Sequence, residues 1–448
     1  MSAAPAAPAR PRSFHAGVHP PDRKAATDRL PIERMPFVDR YVLPLAQHIG
    51  APAKPVVQVG QPVQRGEPIA EPGGFVSVAL HAPASGRVEA IELRLHPNGQ
   101  MLPAIVIAAD PFASQRLAPA PAVDPAALTR DDFLERVQRG GIVGLGGAAF
   151  PSHVKLRVPE GKRIRHVVIN GCECEPYLTC DHRLMAERPE AVVRGAEIIM
   201  GMLEATHGYV GVEANKPDAI TALAEAAPDS IEVVPLQVKY PQGAEKLLID
   251  AIFEREVPLG GLPIDIEMLV NSVGTTVALC DLFDRGAPLV ERIVTVTGPA
   301  VARPRNLVVP LGTPLSALLK HCGGLLPNAR QVVLGGPMMG MAQKSLDAPI
   351  VKVSGGVLCL DRDAVTQLRE FPCIRCARCV EACPMQLNPT RLAQLIRAER
   401  ADQLDGLHLK NCFECAACSF VCPSRIPLVQ WMRMGKAMLR AHEAAAQS

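Results

Sequence analysis

Two matching cysteine runs near the C-terminal end constrain this 448-residue chain more than any other feature. Each run has the spacing C-x2-C-x2-C-x3-C-P, which is expected of a protein that holds two [4Fe–4S] clusters. Three cysteines two residues apart ligate one cluster, and the fourth, carried on the following helix, ligates the other. The predicted ligand sets are Cys373, Cys376, Cys379 and Cys422 for one cluster, and Cys412, Cys415, Cys418 and Cys383 for the other.

Other uses of cysteine fit this pattern poorly. A structural zinc site takes four ligands, usually as two pairs with a longer gap, and does not explain a repeated run of four. Disulfides need an oxidising compartment. The Ala/Pro-rich first twelve residues lack the apolar core of an export signal, so we expect a short disordered lead there.

Composition narrows the remaining classes of protein. The formal net charge is +2 and the chain has one Trp and four Tyr. Without a clustered basic tract, we expect no nucleic-acid partner. The best candidate for a membrane-spanning stretch, residues 268–280, is thirteen residues long. A membrane-spanning helix needs about 20 residues, so we expect none in this chain.

The predicted fold is multidomain, combining α/β and β modules, and begins with an N-terminal arm (residues 1–30). Residues 31–112 contain short apolar runs separated by Gly and Pro, which predict a small all-β domain. This region resembles a biotinyl/lipoyl-type barrel-sandwich hybrid. Such carriers have a modifiable lysine at a hairpin tip, and residues 71–77 contain none, so we expect a structural module.

Residues 113–290 alternate strand-like and helical windows after a Pro/Ala linker, which indicates a doubly wound parallel sheet. A loop with five glycines in eight positions begins at Gly140 and leads to Lys155. Glycine amides can approach an anion closely, but a glycine-rich loop is also often simply flexible. Asn170 lies at the end of a strand that we expect to be buried. Open α/β sheets bind cofactors at the carboxyl ends of their strands.

Two further modules complete the predicted order. Residues 291–360 contain the pattern strand, strand, helix and strand, which suggests a β-grasp-like module. Residues 361–448 form the α-helical ferredoxin-like domain with the two cysteine runs. Cys172, Cys174 and Cys180 could form a third metal site, although their spacing matches no standard ligand set, and core packing is the favoured interpretation.

The whole chain resembles the C component of the Rnf-type electron transport complex, a family that exchanges electrons between ferredoxin and NAD. The resemblance runs through about residues 14–435. It is carried by both cysteine runs and by the stretches 15–21, 144–155, 170–177 and 240–246. It implies the same domain order, with a flavin/NAD domain like the flavin subunit of complex I and an SLBB β-grasp module.

The resemblance also implies the cofactor-binding residues. FMN would be held by Gly144, Gly146, Gly147, Lys155, Asn170 and Glu173. Asn271 and Thr275 would lie on the phosphate side of the flavin. Phe150, Glu175 and Glu245 would face the nicotinamide nucleotide, NAD(H).

By the same resemblance, the chain is an oxidoreductase component at the cytoplasmic face of the bacterial inner membrane. It would pass electrons between NAD(H)/FMN and two [4Fe–4S] clusters. The implied partners are the membrane subunits of an ion-translocating complex and ferredoxin-like carriers. Two alternatives stay open: a soluble cobalamin reductase of similar architecture, and a non-catalytic iron–sulfur wiring scaffold without flavin.

Overall fold

The computed structural model describes residues 11–117, 121–365 and 369–447. The first ten residues of the predicted arm, including most of the predicted disordered lead, lie outside the described residues. The strands are β1 (Ile32–Arg34), β2 (Arg40–Pro44), β3 (Lys54–Pro55), β4 (Pro62–Val63), β5 (Pro68–Glu71), β6 (Leu80–His81), β7 (Gly86–Leu95), β8 (Met101–Ala109), β9 (His166–Gly171), β10 (His207–Glu213), β11 (Ile231–Leu236), β12 (Met268–Ser272), β13 (Glu291–Thr297), β14 (Arg305–Pro310), β15 (Ala329–Leu334), β16 (Met341–Ala342) and β17 (Gly356–Asp361).

Twelve α-helices lie within the described ranges. They are α1 (Arg130–Arg139), α2 (Ser152–Leu156), α3 (Cys180–Glu187), α4 (Pro189–Leu203), α5 (Pro217–Ala226), α6 (Glu245–Phe253), α7 (Val273–Arg285), α8 (Leu315–His321), α9 (Arg378–Glu381), α10 (Pro389–Arg397), α11 (Ala417–Phe420) and α12 (Leu428–Gln447). Short 3-10 turns occur at Pro125–Ala127, Pro263–Ile266, Ala401–Gln403, Asp405–Leu407 and Leu409–Asn411.

The N-terminal β region forms two small sheets, with strand orders β2-β8-β7-β4 and β3-β5-β6. Tyr41, Ile69 and Ile105 are fully buried in their shared core. The expected all-β sandwich is therefore confirmed. Strand β1 lies inside the predicted 31–112 domain but does not pair with its sheets, because residues 32–34 pair with 306–308 of β14. The start of the predicted 31–112 domain thus belongs to the sheet of the predicted β-grasp-like module, residues 291–360.

The central region is a four-stranded sheet with the order β11-β10-β9-β12, and all its pairs are parallel. Its strands are apolar on both faces, as Val167, Val168 and Ile169 of β9 show by their complete burial. This pattern is typical of parallel strands covered by helices. The doubly wound fold is confirmed. Since the chain leaves β9 to one side and returns with β12 on the other, the topological switch point lies between these two strands.

The module after the parallel sheet is a six-stranded mixed sheet with the order β1-β14-β13-β17-β15-β16. Helix α8 buries Leu315, Leu318 and Leu319 in a core shared with these strands. The expected β-grasp-like architecture is confirmed, with β1 as an added edge strand.

The C-terminal region is helical and has its own core. Helices α10 and α12 pack together, with Leu392, Ile396 and Met432 almost wholly buried. Gly435 of α12 allows this approach, because a Cβ there would lie 2.5 Å from the tip of Ile396. In the part of the chain that the structure describes, no helix is long and apolar enough to cross a membrane.

The described part of the arm lies along the central region. Arg12 forms a parallel bridge with Leu236, and Val18 forms an antiparallel bridge with Tyr240. Lys24 is buried and its ammonium donates to the carbonyls of Glu173, at 2.8 Å, and Glu175, at 2.9 Å. The arm therefore fastens the segment that follows β9.

Candidate functional site

The carboxyl ends of β9 and β12 meet at the switch point of the parallel sheet. Asn170 near the end of β9 pairs in register with Ser272 at the end of β12. Asn271 precedes Ser272 and is 5% exposed. Open α/β sheets bind their ligands at such positions, and we call this place between the ends of β9 and β12 the crevice.

The glycine-rich loop closes over this crevice. The amide of Gly144 donates to the carbonyl of Phe150 at 2.8 Å, so the chain returns on itself. Gly146 packs against Ser272, where an added Cβ would lie 3.2 Å from the serine Cβ. Gly147 has φ +124°, a conformation that L side chains rarely adopt, and faces open space. A side chain at either position would fill or strain the cradle.

Thr275 fastens the glycine-rich loop to the first turn of α7. The Leu145 amide donates to the Thr275 hydroxyl at 2.8 Å, and that hydroxyl lies 2.9 Å from the Ser272 hydroxyl. Ser272 in turn caps α7 by accepting from the Thr275 amide. The loop is thus held at the positive end of a thirteen-residue helix, an environment that favours anionic groups such as phosphate.

Two buried amide side chains at the crevice lack partners among the described residues. The Nδ2 of Asn271 has none, and neither Nε2 nor Oε1 of Gln242 has one. Leaving a buried polar group unpaired costs about 1–3 kcal/mol. These groups therefore fit a bound ligand that hydrogen-bonds to them. Sequence reasoning placed Gln242 in a matching stretch, 240–246, but did not single it out.

Lys155 and Glu245 form an ion pair of 2.5 Å between Nζ and Oε2. The side chains are 31% and 34% exposed, so the pair lies at a solvent-accessible edge. Lys155 is on α2, just beyond the glycine-rich loop, and Glu245 begins α6. The structure thus joins a residue expected on the flavin side to one expected on the nicotinamide side.

Asn170 connects two loops at the crevice. Its Nδ2 donates to the Gly243 carbonyl at 2.8 Å, and its Oδ1 accepts from the Cys172 amide at 3.0 Å. Gly243 must remain small, because a Cβ there would lie 2.6 Å from the Cys172 carbonyl oxygen. Asn170 therefore sets the shape of the crevice wall.

The two glutamates after β9 are occupied by other contacts. Glu173 accepts from the amides of Asp181 and His182 at 3.0 and 3.2 Å, which satisfies the first turn of α3. Glu175 accepts from the amides of Met338 and Met339 at 3.0 and 2.8 Å. Burial raises the pKa of Glu175, although these two amides oppose the shift. Both carboxylates hold loops in place around the crevice.

Cys172, Cys174 and Cys180 have separate partners. The Cys172 thiol lies 3.5 Å from the Gly211 carbonyl, and the Cys180 thiol lies 3.2 Å from Glu173 Oε1. Cys174 accepts from the Gly243 amide at 3.4 Å. Burial raises the pKa of the Cys174 thiol to about 12. These contacts fit the expected core packing, with Cys174 nearest the C-terminal region.

The eight cysteines of the two runs line two cavities. One cavity, of about 50 Å³, is lined by Cys373, Cys376, Cys379 and Cys422. The other, of about 20 Å³, is lined by Cys383, Cys412, Cys415 and Cys418. These are the two groups that the spacing predicts. Within the described residues, no three His, Cys, Asp or Glu side chains converge on a single-ion site.

The backbone of the two cysteine loops is alike. The Arg375 amide donates to Cys373 Sγ at 3.4 Å, and the Glu414 amide donates to Cys412 Sγ at 3.3 Å. Arg375 and Glu414 both adopt positive φ, at 55° and 59°. Each loop therefore turns an amide toward its first sulfur, and hydrogen bonds of this kind tune cluster potentials.

The second cysteine loop contacts the central region directly. The Tyr240 hydroxyl donates to the Cys415 carbonyl at 2.8 Å. Val18, Tyr240, Ala382 and Ala417 form a buried apolar cluster against which Cys174 and Cys415 pack. We call these four residues the junction cluster. Through these residues, the second cysteine loop packs on the central region, so the cavity of Cys383, Cys412, Cys415 and Cys418 is the one nearer the crevice.

Four family models match consecutive parts of the chain. They are described as the RnfC barrel sandwich hybrid domain (residues 12–111), the Nuo51 FMN-binding domain (137–281), the SLBB domain (293–342) and the 4Fe-4S dicluster domain (372–426). An FMN-binding type of domain and an iron–sulfur dicluster type of domain are therefore present in one chain.

Curated relatives are similar over most of the chain. The C component of the proton-translocating ferredoxin:NAD(+) oxidoreductase complex of Clostridium ljungdahlii is 44% identical over 86% of this chain and 84% of its own length. Its counterpart in the Na(+)-translocating complex of Acetobacterium woodii is 40% identical, covering 88% and 89%. The counterpart in the ion-translocating oxidoreductase complex of Pseudomonas aeruginosa is 43% identical over 96% of this chain but 56% of its own length.

Among solved structures, a chain of an NAD+-reducing [NiFe]-hydrogenase in the air-oxidized state superposes with a TM-score of 0.51. The match covers 71% of this chain and 65% of the other, at 19% identity. At that identity, the similarity shows a shared fold and nothing more.

Proposed function

Because the chain belongs to the family of C components of ion-translocating ferredoxin:NAD(+) oxidoreductase complexes, we propose that it is the peripheral electron-transfer subunit of such a complex. It would pass electrons between NAD(H) and ferredoxin-side partners, through FMN and two [4Fe–4S] clusters, at the cytoplasmic face of the bacterial inner membrane. Ion translocation would belong to the membrane subunits of that complex.

The crevice supports FMN as the bound flavin. Gly144, Gly146 and Gly147 keep the loop thin, and Thr275 holds it at the start of α7, where the phosphate would find backbone donors. The unpaired Asn271 amide offers a further donor on that side. FMN, when bound, links the two-electron chemistry of NAD(H) to the one-electron steps that iron–sulfur clusters carry out.

Lys155 and Glu245 would control the entrance for the two anionic ligands. Their ion pair of 2.5 Å balances both charges at the edge of the crevice. The Lys155 ammonium would hold a phosphate group of the flavin, and Glu245 and Phe150 would face the nicotinamide nucleotide. Because both side chains are about one-third exposed, water screens the pair, and breaking it for the ligand costs little.

Glu173, Glu175 and Asn170 would act as positioning residues rather than as direct ligands. Glu173 holds the start of α3, and Glu175 joins the crevice wall to the loop after β15. Asn170 keeps the Gly243 loop against Cys172. Substituting any of them would alter the affinity for flavin through the shape of the crevice.

The eight cysteines would ligate two [4Fe–4S] clusters in the groups that line the two cavities. Thr390 supports one ligand, with its hydroxyl 3.0 Å from Cys379 Sγ. The order of the two clusters along the electron path follows from the junction cluster. The set containing Cys415 would be nearer the flavin, and the set containing Cys373 would be nearer the outside.

The hydrogen bond from Tyr240 to the Cys415 carbonyl is the observation that most supports this function. Tyr240 belongs to the same loop as Gln242 and Gly243, which form the crevice wall. One loop thus connects the expected flavin site to the peptide of a cluster ligand. A wiring scaffold without flavin would not need the crevice, its thin glycine loop and its unpaired amides.

Anaerobic purification of the chain with its complex provides the test. We expect FMN to copurify, with iron and acid-labile sulfide for two clusters, and NADH to reduce the protein. Absence of flavin, with none rebinding to the purified chain, would contradict the proposal. Stable isolation without any membrane partner, together with cobalamin reduction, would support the alternative of a soluble reductase instead.

A further inference from the structure

Two buried basic side chains of the β-grasp-like module contact the glycine-rich loop. Lys352, which precedes β17, is fully buried, and its Nζ donates to the carbonyls of Gly141, at 2.7 Å, and Ala79, at 2.9 Å. Arg292 on β13 is 6% exposed, and its Nη2 donates to the carbonyl of Leu145 at 3.3 Å. The module thus holds the first part of the loop by two of its carbonyls.

Neither of these side chains has an acidic partner. Within the described ranges, Lys352 and Arg292 form no ion pair, and the Nε of Arg292 has no hydrogen-bond partner. Burial lowers the pKa of Lys352 to about 7. Burial also lowers the pKa of Arg292, although Cys180 and Asp181 oppose that shift. A buried charge without a counter-charge is unfavourable, and an anion bound nearby would stabilise the charged form of both side chains.

Arg292 also orients an amide of the loop. The Leu145 amide donates to Thr275 and the Leu145 carbonyl accepts from Arg292, so both backbone polar groups of this residue are held. Because a trans peptide unit is planar, its N–H points opposite to its carbonyl. The Gly146 amide shares a peptide unit with the Leu145 carbonyl, and it is therefore turned away from Arg292. It has no acceptor among the described residues, so it is available to a ligand.

The glycines beside the two basic side chains show how closely they approach the cradle. A Cβ at Gly141 would lie 2.9 Å from the Nζ of Lys352. A Cβ at Gly274, in the first turn of α7, would lie 3.3 Å from the Nη1 of Arg292. The guanidinium of Arg292 therefore lies at the end of α7 that favours anionic groups.

We propose that Lys352 and Arg292 are positioning residues for the flavin phosphate, through which the β-grasp-like module holds the glycine-rich loop and supplies positive charge to it. The proposal rests on the proposed function, since it assigns two further residues to the same FMN site. Neutral donors could hold the same two carbonyls with less loss of hydration. Charged side chains are favoured there because a phosphate group, with about two negative charges, balances them when it binds.

The test compares two flavins that differ only in the phosphate group. The purified chain, kept anaerobic with its clusters intact and freed of flavin, is titrated with FMN and with riboflavin, and flavin fluorescence reports binding. In Arg292→Gln and in Lys352→Gln an amide can still donate to a loop carbonyl, but the charge is removed. We expect each variant to bind FMN about tenfold more weakly and riboflavin less than about twofold more weakly, since riboflavin has no phosphate charge.

Matched controls come from the same module. Arg330→Gln on β15 and Lys344→Gln after β16 change exposed side chains that form no ion pair in the part of the chain that the structure describes. We expect both controls to bind the two flavins like the wild type. Arg292→Lys keeps the positive charge, so we expect it to keep the wild-type ratio of the FMN and riboflavin affinities, even if the shorter side chain lowers both.

Thermal melting shows first whether each variant is folded. Equal weakening of FMN and riboflavin binding in the glutamine variants would indicate a structural role alone and would overturn the proposal. Unchanged binding of both flavins would also overturn it. If the glutamine variants do not fold, Arg292→Lys decides, and a ratio of affinities different from that of the wild type would contradict the proposal.

The same titration distinguishes this proposal from the proposed function. If the wild type binds neither flavin, the proposed function fails. If the wild type binds FMN and the glutamine variants keep its affinity, the crevice still holds the flavin, and only the role of Lys352 and Arg292 is wrong.

Discussion

The two cysteine runs are alike in spacing and backbone but lie in opposite surroundings. The first loop is exposed throughout and bordered by arginines, whereas the second packs on the junction cluster and accepts a hydrogen bond from Tyr240. A duplicated motif has thus been given two tasks by its neighbours. The contrast teaches that the surroundings of a repeated motif can differ although its spacing and backbone are the same, and under the proposed function the covered copy would hold the cluster nearer the flavin.

Loss of one ligand in each run should give the largest difference. We expect Cys415→Ala and Cys376→Ala each to lose the iron of one cluster, measured by iron analysis. NADH should still reduce the remaining cluster in Cys376→Ala, but not in Cys415→Ala, because the flavin-side set is missing there. Low-temperature EPR after NADH provides the measurement, with dithionite as the control. Equal reduction by NADH in both variants would contradict the order of the clusters.

Exchange of the sixth residue between the runs should give the next largest effect. Ala417 is fully buried, so Ala417→Arg would insert an unpaired cation into the junction cluster. We expect a loss of about 3 kcal/mol or more in the free energy of unfolding. The converse change at the exposed position, Arg378→Ala, should stay within about 0.5 kcal/mol. Anaerobic urea unfolding compares the two variants. A similar loss of unfolding free energy in both would contradict the difference in burial between Ala417 and Arg378.

Removal of the hydroxyl that joins the second loop to the crevice wall should have a moderate effect. Tyr240→Phe leaves the Cys415 carbonyl without this donor. We expect a loss of about 1–2 kcal/mol, and slower reduction of the clusters by NADH. The first loop has no equivalent contact within the described residues. Tyr177→Phe is the control, since its hydroxyl forms no hydrogen bond within the described ranges, and thermal melting should separate the two variants.

The third residue of each run should give the smallest difference. Glu414 pairs with Arg433 at 3.2 Å and with Lys436 at 2.9 Å, on a partly exposed surface. We expect Glu414→Gln to cost about 0.5 kcal/mol at low salt and less at high salt. Arg375→Gln, which removes no ion pair within the described residues, should leave stability unchanged. A salt-independent loss in Glu414→Gln would indicate packing rather than charge.

Much of the architecture followed from local sequence patterns. The alternation of strand-like and helical windows predicted the parallel sheet, and regular turn residues predicted the β region, because both patterns depend on near neighbours in the chain. Strand β1 escaped this reasoning. Its three residues pair with β14, more than 270 positions away, and nothing local distinguishes such a strand from the start of the next domain.

The candidate site was only partly predictable. The glycine-rich loop and Thr275 lie together as expected, since the loop and α7 must meet at the switch point. The tasks of Glu173 and Glu175 were not visible, because their partners are amides that the tertiary fold brings near. The unpaired side chain of Gln242 was missed for the same reason, as burial cannot be read from one polar residue in a loop.

The sequence by itself determined the grouping of the eight cysteines, because the spacing of three thiols and a distant fourth is a local property of the loop and its helix. Only the tertiary structure decided which run meets the crevice and which meets solvent. Ala417 and Arg378 occupy the same place in the motif, and packing against Tyr240 buries one while leaving the other free in water.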